Sequence, residues 1–303
     1  MRARARDGAH GGERPTGRRT PPAPGKRIGR RRSMTIIAQL SDIHLAAGAD
    51  GRVDDRSGPV RALRSAVSSL LALPQRPDCV VLTGDLADRG LPVEYERLRA
   101  LLSPLPMPVF PLPGNHDDRA ALREAFADRT AACAAPDPQA PFQYAVQVRG
   151  VRLVCCDTTV PGESHGELDE ERLQWLDAAL AAAPDVPTVV ATHHPPFPIG
   201  VRFLDEAGLR DAAALGAVLA RHPQVERVIS GHVHRAAVGR IGEITAVTCP
   251  STYRQIYLDT TSPGQAAVTG EPGGFSLHLV GEGRPGVSHF VPTGDYRPLM
   301  HVD

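Results

Sequence analysis

Three segments of the chain, MTIIAQLSD (Met34–Asp42), DCVVLTGD (Asp78–Asp85) and VFPLPGNHD (Val109–Asp117), share one pattern: a short apolar run, then an abrupt change to polar residues. Between them lie PVRALRSAVSSLLAL (Pro59–Leu73) and PVEYERLRALL (Pro92–Leu102), whose apolar positions recur at helical spacing. Continuous apolar runs of this length read as strands covered on both faces, and the alternation with helices predicts repeated βα units in a largely parallel sheet. The texture then changes. FQYAVQVRGVRLVCCDT (Phe142–Thr158) predicts two strands joined at Arg149-Gly150, and DEERLQWLDAALAAA (Asp169–Ala183) predicts a helix with Leu173, Leu176 and Leu180 on one face. Two more strand units follow, PTVVATHHPP (Pro187–Pro196) and VERVISGHVH (Val225–His234), separated by the helix RDAAALGAVLARH (Arg210–His222). From Arg240 to Gly294 the chain reads as antiparallel strands with Gly/Pro turns. No internal repeat or heptad pattern emerges.

With 303 residues and 42% hydrophobic positions, the chain has the size of one α/β domain, and no run approaches the roughly 18 apolar residues of a membrane span. The expectation is one soluble catalytic domain over residues 34–303, behind a distinct tail. The net charge of zero conceals an asymmetry: residues 1–33 hold ten Arg and one Lys against Asp7 and Glu13, a balance of 11 − 2 = +9, so the rest carries 0 − 9 = −9. No apolar stretch follows the arginines, which argues against a secretory or twin-arginine signal, and the Pro, Gly and Arg content predicts disorder. The segment reads as a solvated tail, or as residues ahead of a start at Met34; the competing reading is an arm for nucleic acid or an anionic surface. A domain balance of −9 argues against a nucleic-acid partner. The five cysteines form no C-x-x-C pair, and Cys79, Cys155, Cys156 and Cys249 sit in apolar, strand-like runs. Buried free thiols in a reducing cytoplasm are expected.

The candidate chemistry lies where strands end. Five times an apolar run stops and His, Asp or Asn follows at once: QLSDIH, VLTGDLAD, PLPGNHD, VVATHH and VISGHVH. In α/β sheets, ligands bind beyond the carboxyl ends of the strands, where loops converge on a rigid frame. Taken as metal ligands, the clusters close a coordination count for two ions: Asp42, His44, Asp85 and His234 for one, and Asp85, Asn115, His193 and His232 for the other, with the Asp85 carboxylate bridging. Asp42 and His44, two apart in an extended segment, would point to one side. Two divalent ions, two carboxylates and a bridging hydroxide leave about +1, a centre that attracts a phosphate anion. Mixed N/O ligation suits Mn, Fe, Zn or Co better than Ca or Mg. Ions roughly 3.5 to 4 Å apart lower the pKa of a shared water and hold the attacking and leaving oxygens of an in-line displacement, the geometry of phosphate-ester hydrolysis. His116, beside Asn115, is the candidate to bind a phosphoryl oxygen or protonate the leaving alkoxide. Asp88 is the candidate to orient it, with Asp117 the rival.

The ordered series D-x-H, G-D-x-x-D, G-N-H-D, H-H-P-P and G-H-x-H resembles the calcineurin-like metallophosphoesterase superfamily. HGELDEERLQWL, THHPP and CPSTYRQIYLD are similar in type to its bacterial class III cyclic-nucleotide phosphodiesterases, a group that also contains glycerophosphodiesterases. The resemblance runs from Met34 to Gly294, and the set of motifs is far more specific than any one alone. It implies a four-layer αββα sandwich of two mixed sheets flanked by helices, with a di-metal centre at the sheet edges. It also implies His193 rather than His194 as the ligand, and hydrolysis of a small phosphodiester, first of all 3′,5′-cyclic AMP or another cyclic nucleotide. Glycerophosphodiesterase or broad phosphatase activity, or a silent metal-binding scaffold, are the alternatives. A homodimer is compatible with the resemblance and the apolar C-terminal strands. The layout that the resemblance implies would put Tyr253 and Gln255 after a strand end on the metal side, as candidate substrate contacts. Trp175 is read as core, and His10, His165, His222, His278, His289 and His301 as surface or core residues. The Arg-rich tail is not required by the resemblance.

Overall fold

In the computed structural model of the protein, residues 34–129, 133, 135–261, 266–281 and 286–294 are described. The tail at 1–33, with His10, and His301, whose expected roles are given above, lie outside them. The first half of the chain forms β1 (Thr35–Leu40), α1 (Gly58–Ala72), β2 (Cys79–Thr83), α2 (Pro92–Leu102), β3 (Val109–Leu112) and α3 (Arg119–Ala125). A hairpin, β4 (Tyr144–Val148) and β5 (Val151–Cys155), leads to α4 (Glu170–Ala181), β6 (Thr188–Ala191), α5 (Arg202–Glu206), α6 (Ala212–Leu219) and β7 (Val225–Ser230). The remainder is all strand: β8 (Ala237–Ile241), β9 (Ile244–Thr248), β10 (Gln255–Ile256), β11 (Val268–Thr269), β12 (Gly274–Val280) and β13 (Val287–Pro292).

These strands form two mixed sheets, ordered β13-β12-β1-β2-β3 and β4-β5-β6-β7-β9-β8, and a small ribbon of β10 and β11. β1, β2 and β3 run parallel, as do β5, β6, β7 and β9. The parallel direction of β9 departs from the antiparallel reading of the C-terminal third, which holds for β8, β12 and β13. A two-residue hairpin joins β8 to β9, so β9 is carried back alongside β7. The predicted hairpin forms at Arg149-Gly150, with Arg149 at φ +51°. The short helices α3 and α5 carry too few periodic residues to be read from sequence.

Strand periodicity explains the layering. Leu153, Val189 and Ile229 point into a core shared with the first sheet, α1 and α2, whereas their neighbours Val154, Val190 and Val228 pack with Leu176 and Leu180 of α4 and Leu215 of α6. Adjacent Cys155 and Cys156 are split in the same way, one to each core, and all five cysteines are free and buried. Trp175 is half-buried against the α4 side. Two polar knots join the layers. Arg119 Nε meets Asp157 Oδ2 at 2.7 Å, and Asp157 also accepts from the amides of Phe142 and Thr159 at 2.8 Å each. Gln39 of β1 donates to Thr83 Oγ1 at 2.8 Å and across to the Ser230 carbonyl of β7 at 2.9 Å, while its carbonyl accepts from His278 Nε2 at 2.9 Å. Among the other lone histidines, His222 Nε2 pairs with Asp177 at 2.7 Å, His165 is buried near Glu163, and His289 is exposed on β13.

Candidate metal centre

The loops after β1, β2 and β3 carry Asp42 and His44, Asp85, and Asn115 and His116; those after β6 and β7 carry His193, and His232 and His234. All leave parallel strands at their carboxyl ends, so two sheets contribute to one rim. Asp42, His44, Asp85, His232 and His234 all have positive φ, between +49° and +68°. Asp42 and His44 are therefore not alternate residues of an extended segment; each reaches the site through a left-handed turn. Such a conformation costs roughly 1 to 2 kcal/mol for a residue with a Cβ, a cost held by the surrounding structure. The glycines of the motifs serve the same crowding. A Cβ on Gly84, itself at φ +93°, would lie 2.3 Å from His193 Nδ1, and one on Gly114 would lie 2.2 Å from Asp85 Oδ1.

Three of the four rings, those of His193, His234 and His44, are held from behind, and this fixes which nitrogen each turns inward. His193 Nδ1 donates to the Thr83 carbonyl at 2.7 Å and His234 Nδ1 to the Arg254 carbonyl at 2.8 Å, while His44 Nδ1 faces Asp88 Oδ1 at 3.5 Å. With those protons outward, the Nε2 atoms present lone pairs to the centre. Around the first position His44 Nε2 lies 3.1 Å from His234 Nε2 and 3.6 Å from Asp85 Oδ2, and His234 Nε2 lies 3.5 Å from Asp42 Oδ1. Around the second, Asn115 Oδ1 lies 3.1 Å from both His193 Nε2 and His232 Nδ1, and His193 Nε2 lies 3.4 Å from Asp85 Oδ1. The two oxygens of Asp85 thus face different clusters. Lone pairs facing one another at such distances repel, but donors about 2.1 Å from a common cation sit about 3.0 Å apart at right angles. The donor set fits two cations of the borderline kind, with Asp85 between them.

The electrostatics agree. Burial disfavours the charged forms of both Asp85 and His193, yet their mutual attraction outweighs it, holding the Asp85 pKa far below the usual carboxylate range and raising that of His193. The pair of carboxylates Asp42 and Asp85, buried at 0% and 2% exposure, calls for positive charge at this point. His232 is kept neutral, its pKa lowered to about 3 by burial and then by the neighbouring His193. His194 lies close to His193 and His232, but its Nδ1 meets Thr158 Oγ1 at 2.8 Å and its Nε2 the Ser164 carbonyl at 3.2 Å, so neither nitrogen is left for a cation.

The orienting role expected of Asp88 takes a different form. His116 Nδ1 meets the Asp88 backbone carbonyl at 3.0 Å, while the Asp88 carboxylate faces His44. Asp117 does not reach His116 either: its carboxylate accepts from the amides of Leu86, Ala87 and Gly114 and from Tyr95 Oη at 2.8 to 3.1 Å, which ties the β2 and β3 loops together. His116 is exposed, its ring 4.8 Å from that of His44. It stands in a cleft of about 510 Å³ that is also lined by His44, Asp88, His234, Tyr253 and Arg254. Tyr253 therefore lies where a substrate contact was expected. Gln255 does not: it is buried, donates to the Ser251 carbonyl at 2.7 Å and faces a separate hollow beside Pro250. Sequence reading passed over Ser251 and Arg254. Ser251 Oγ donates to the Asp42 carbonyl at 2.7 Å and accepts from the amides of Tyr253 and Arg254 at 3.0 and 3.1 Å. Both follow β9, whose parallel course beside β7 brings its carboxyl end to the same rim.

Two facing mixed sheets, with carboxylates, imidazoles and an amide gathered at the carboxyl ends of their parallel strands, define the class of metal-dependent phosphoesterases. Residues 35–236 match the family model described as calcineurin-like phosphoesterase, and the chain belongs to that family. It is 37% identical over 228 residues to a cAMP/cGMP dual specificity phosphodiesterase of Mycobacterium tuberculosis, covering 71% of this chain and 67% of the relative. It is 33% identical over 224 residues to a glycerophosphodiester phosphodiesterase of Enterobacter lignolyticus, covering 73% and 78%. Among solved structures, a dimetal phosphatase from Danio rerio superposes with a TM-score of 0.59 at 17% identity, over 86% of this chain and 99% of that one. Among the described residues no helix is long and apolar enough to cross a membrane.

Proposed function

We propose that the protein is a di-metal phosphodiesterase that hydrolyses a small phosphodiester, a 3′,5′-cyclic nucleotide such as cyclic AMP. The observation that carries this reading is the convergence of metal-ligating atoms from seven side chains, Asp42, His44, Asp85, Asn115, His193, His232 and His234, beside an open cleft. Cations of the Mn, Fe, Zn or Co kind bound there would lower the pKa of a water molecule and neutralise charge on phosphoryl oxygens. His116 Nδ1 is engaged by the Asp88 carbonyl, so Nε2 is the atom that, in the imidazolium form, would hydrogen-bond a phosphoryl oxygen or give its proton to the leaving alkoxide. The carbonyl, an acceptor only, keeps the proton on Nδ1 and fixes the ring. The relatives named for cyclic-nucleotide and glycerophosphodiester hydrolysis support a diester rather than a monoester. Free buried thiols support a reducing compartment, the cytoplasm, as the place of work.

The test is a panel of cyclic AMP, cyclic GMP, glycerophosphoethanolamine and p-nitrophenyl phosphate with Mn²⁺ added, compared by kcat/KM. The highest value is expected for a cyclic nucleotide, and Asn115→Ala and His116→Ala each lower it by 10² or more, on the order of the loss of one catalytic group. A monoester turned over faster than every diester would overturn the substrate class, and full activity in both variants would overturn the site.

A further inference from the structure

We infer that Tyr253 and Arg254 form the platform on which the flat base of a nucleotide substrate rests, a reading that builds on the phosphodiesterase assignment. The cleft has two kinds of lining. His44, His116, His234 and Asp88 can satisfy a phosphate and its cations; Pro59, Ile256 and Val268 cannot, and with the Tyr253 ring they bound whatever the phosphate carries. Val268 is left 56% exposed, so a small polar alcohol such as glycerol would leave this wall in water, whereas a planar heterocycle would cover it.

The pair within that wall is built for stacking. The Arg254 guanidinium lies 4.6 Å from the centre of the Tyr253 ring, and its Nη2 donates to Tyr253 Oη at 3.0 Å. Tyr253 in turn is pressed against the start of α1 at Gly58, where a Cβ would lie 2.3 Å from its ring. Only glycine leaves room for that approach. The Ser251 hydroxyl clamps both backbone amides to the Asp42 carbonyl, and the Arg254 carbonyl holds His234 Nδ1. The platform is thereby fixed to two loops of the metal centre, those of Asp42 and His234.

A guanidinium is planar, weakly hydrated and rich in donors, so it can stack under a base or reach its acceptor edge, as proteins that hold unpaired nucleotides use it. Purines, with the larger face and the N7 acceptor, suit it best. The chemical class assigned to the wall is therefore a purine nucleotide.

The inference is tested by two measurements on the Mn²⁺-loaded protein. By calorimetry, 5′-AMP should bind on the order of tenfold more tightly than ribose 5-phosphate, the increment expected of one stacked base. Tyr253→Leu should abolish that difference, and Tyr253→Phe, which keeps the ring, should retain it. In turnover, Tyr253→Leu and Arg254→Met should lower the ratio of kcat/KM for cyclic AMP over glycerophosphoethanolamine by a similar factor. A Tyr253→Leu protein that melts like the parent and still prefers 5′-AMP would overturn the platform. Binding needs no turnover, so a parent that hydrolyses no phosphodiester refutes the proposed activity, while the calorimetry still decides the platform.

Discussion

Replacing His278 by glutamine is expected to make the protein less stable at neutral pH yet less sensitive to acid. His278 is fully buried, donates Nε2–H to Gln39 and takes the Ser288 hydroxyl on Nδ1 at 2.8 Å. Burial, and then the charge of Arg227, push its pKa down to about 3, against about 6.5 in an unfolded chain. A base whose folded pKa is depressed contributes its full stability above pH 6.5; as pH falls below 6.5 the unfolded chain takes up a proton that the folded one refuses, until about pH 3. The loss is about 1.4 kcal/mol per pH unit, so about 2 kcal/mol between pH 6.5 and pH 5. Glutamine can still donate to Gln39 but leaves the Ser288 hydroxyl proton without its acceptor, Oγ still receiving Arg227, and some volume unfilled, a loss of about 1 to 3 kcal/mol at pH 7.5. Urea unfolding of parent and His278→Gln at pH 7.5 and pH 5 isolates the effect, since all other titrations are common to both. The stability gap should shrink by about 2 kcal/mol at the lower pH. A gap of the same size at both values would refute the account of His278 as a buried neutral base.

Asp157→Asn should lose about 3 to 5 kcal/mol, because it leaves the buried guanidinium of Arg119 unpaired; the Asp157→Asn/Arg119→Met double variant should recover part of that in urea unfolding, and strict additivity would contradict the pairing. Dialysis against a chelator should lower Tm and Mn²⁺ should restore it, by about 2.7 kcal/mol at a hundredfold excess over Kd; a Tm indifferent to both would mean the converging donors hold no cation. Gly84→Ala should weaken the cation site of His193, Asn115 and His232, since its Cβ would lie 2.3 Å from His193 Nδ1; metal content after gel filtration reports it, and an unchanged content would show that the ring has room to move.

How far the sequence could be read depended on the range of the interaction concerned. The strands β1, β2, β3, β6 and β7 were visible because a buried parallel strand is a local apolar run, and each ends in a polar cluster. Position on a strand end then located the candidate ligands. What pairs with what was not local. The course of β9 beside β7 depends on contacts across the sheet, and so do the bonds by which Ser251 and Arg254 hold the Asp42 carbonyl and His234. The facing of Asp88 toward His44 rather than His116 is a matter of a few ångströms set by the left-handed turns at Asp85 and His44. Backbone sign of that kind leaves no mark in the composition of a segment built from Asp and His.

Cys155 ends β5 and Cys156 follows it directly, yet each side chain is sealed into a different seam of the sandwich, one between the sheets and one beneath α4. They amount to a matched pair of chemical clocks. Under mild denaturant, a thiol reagent that modifies one before the other would show which seam parts first, and equal rates would show that the layers come apart together.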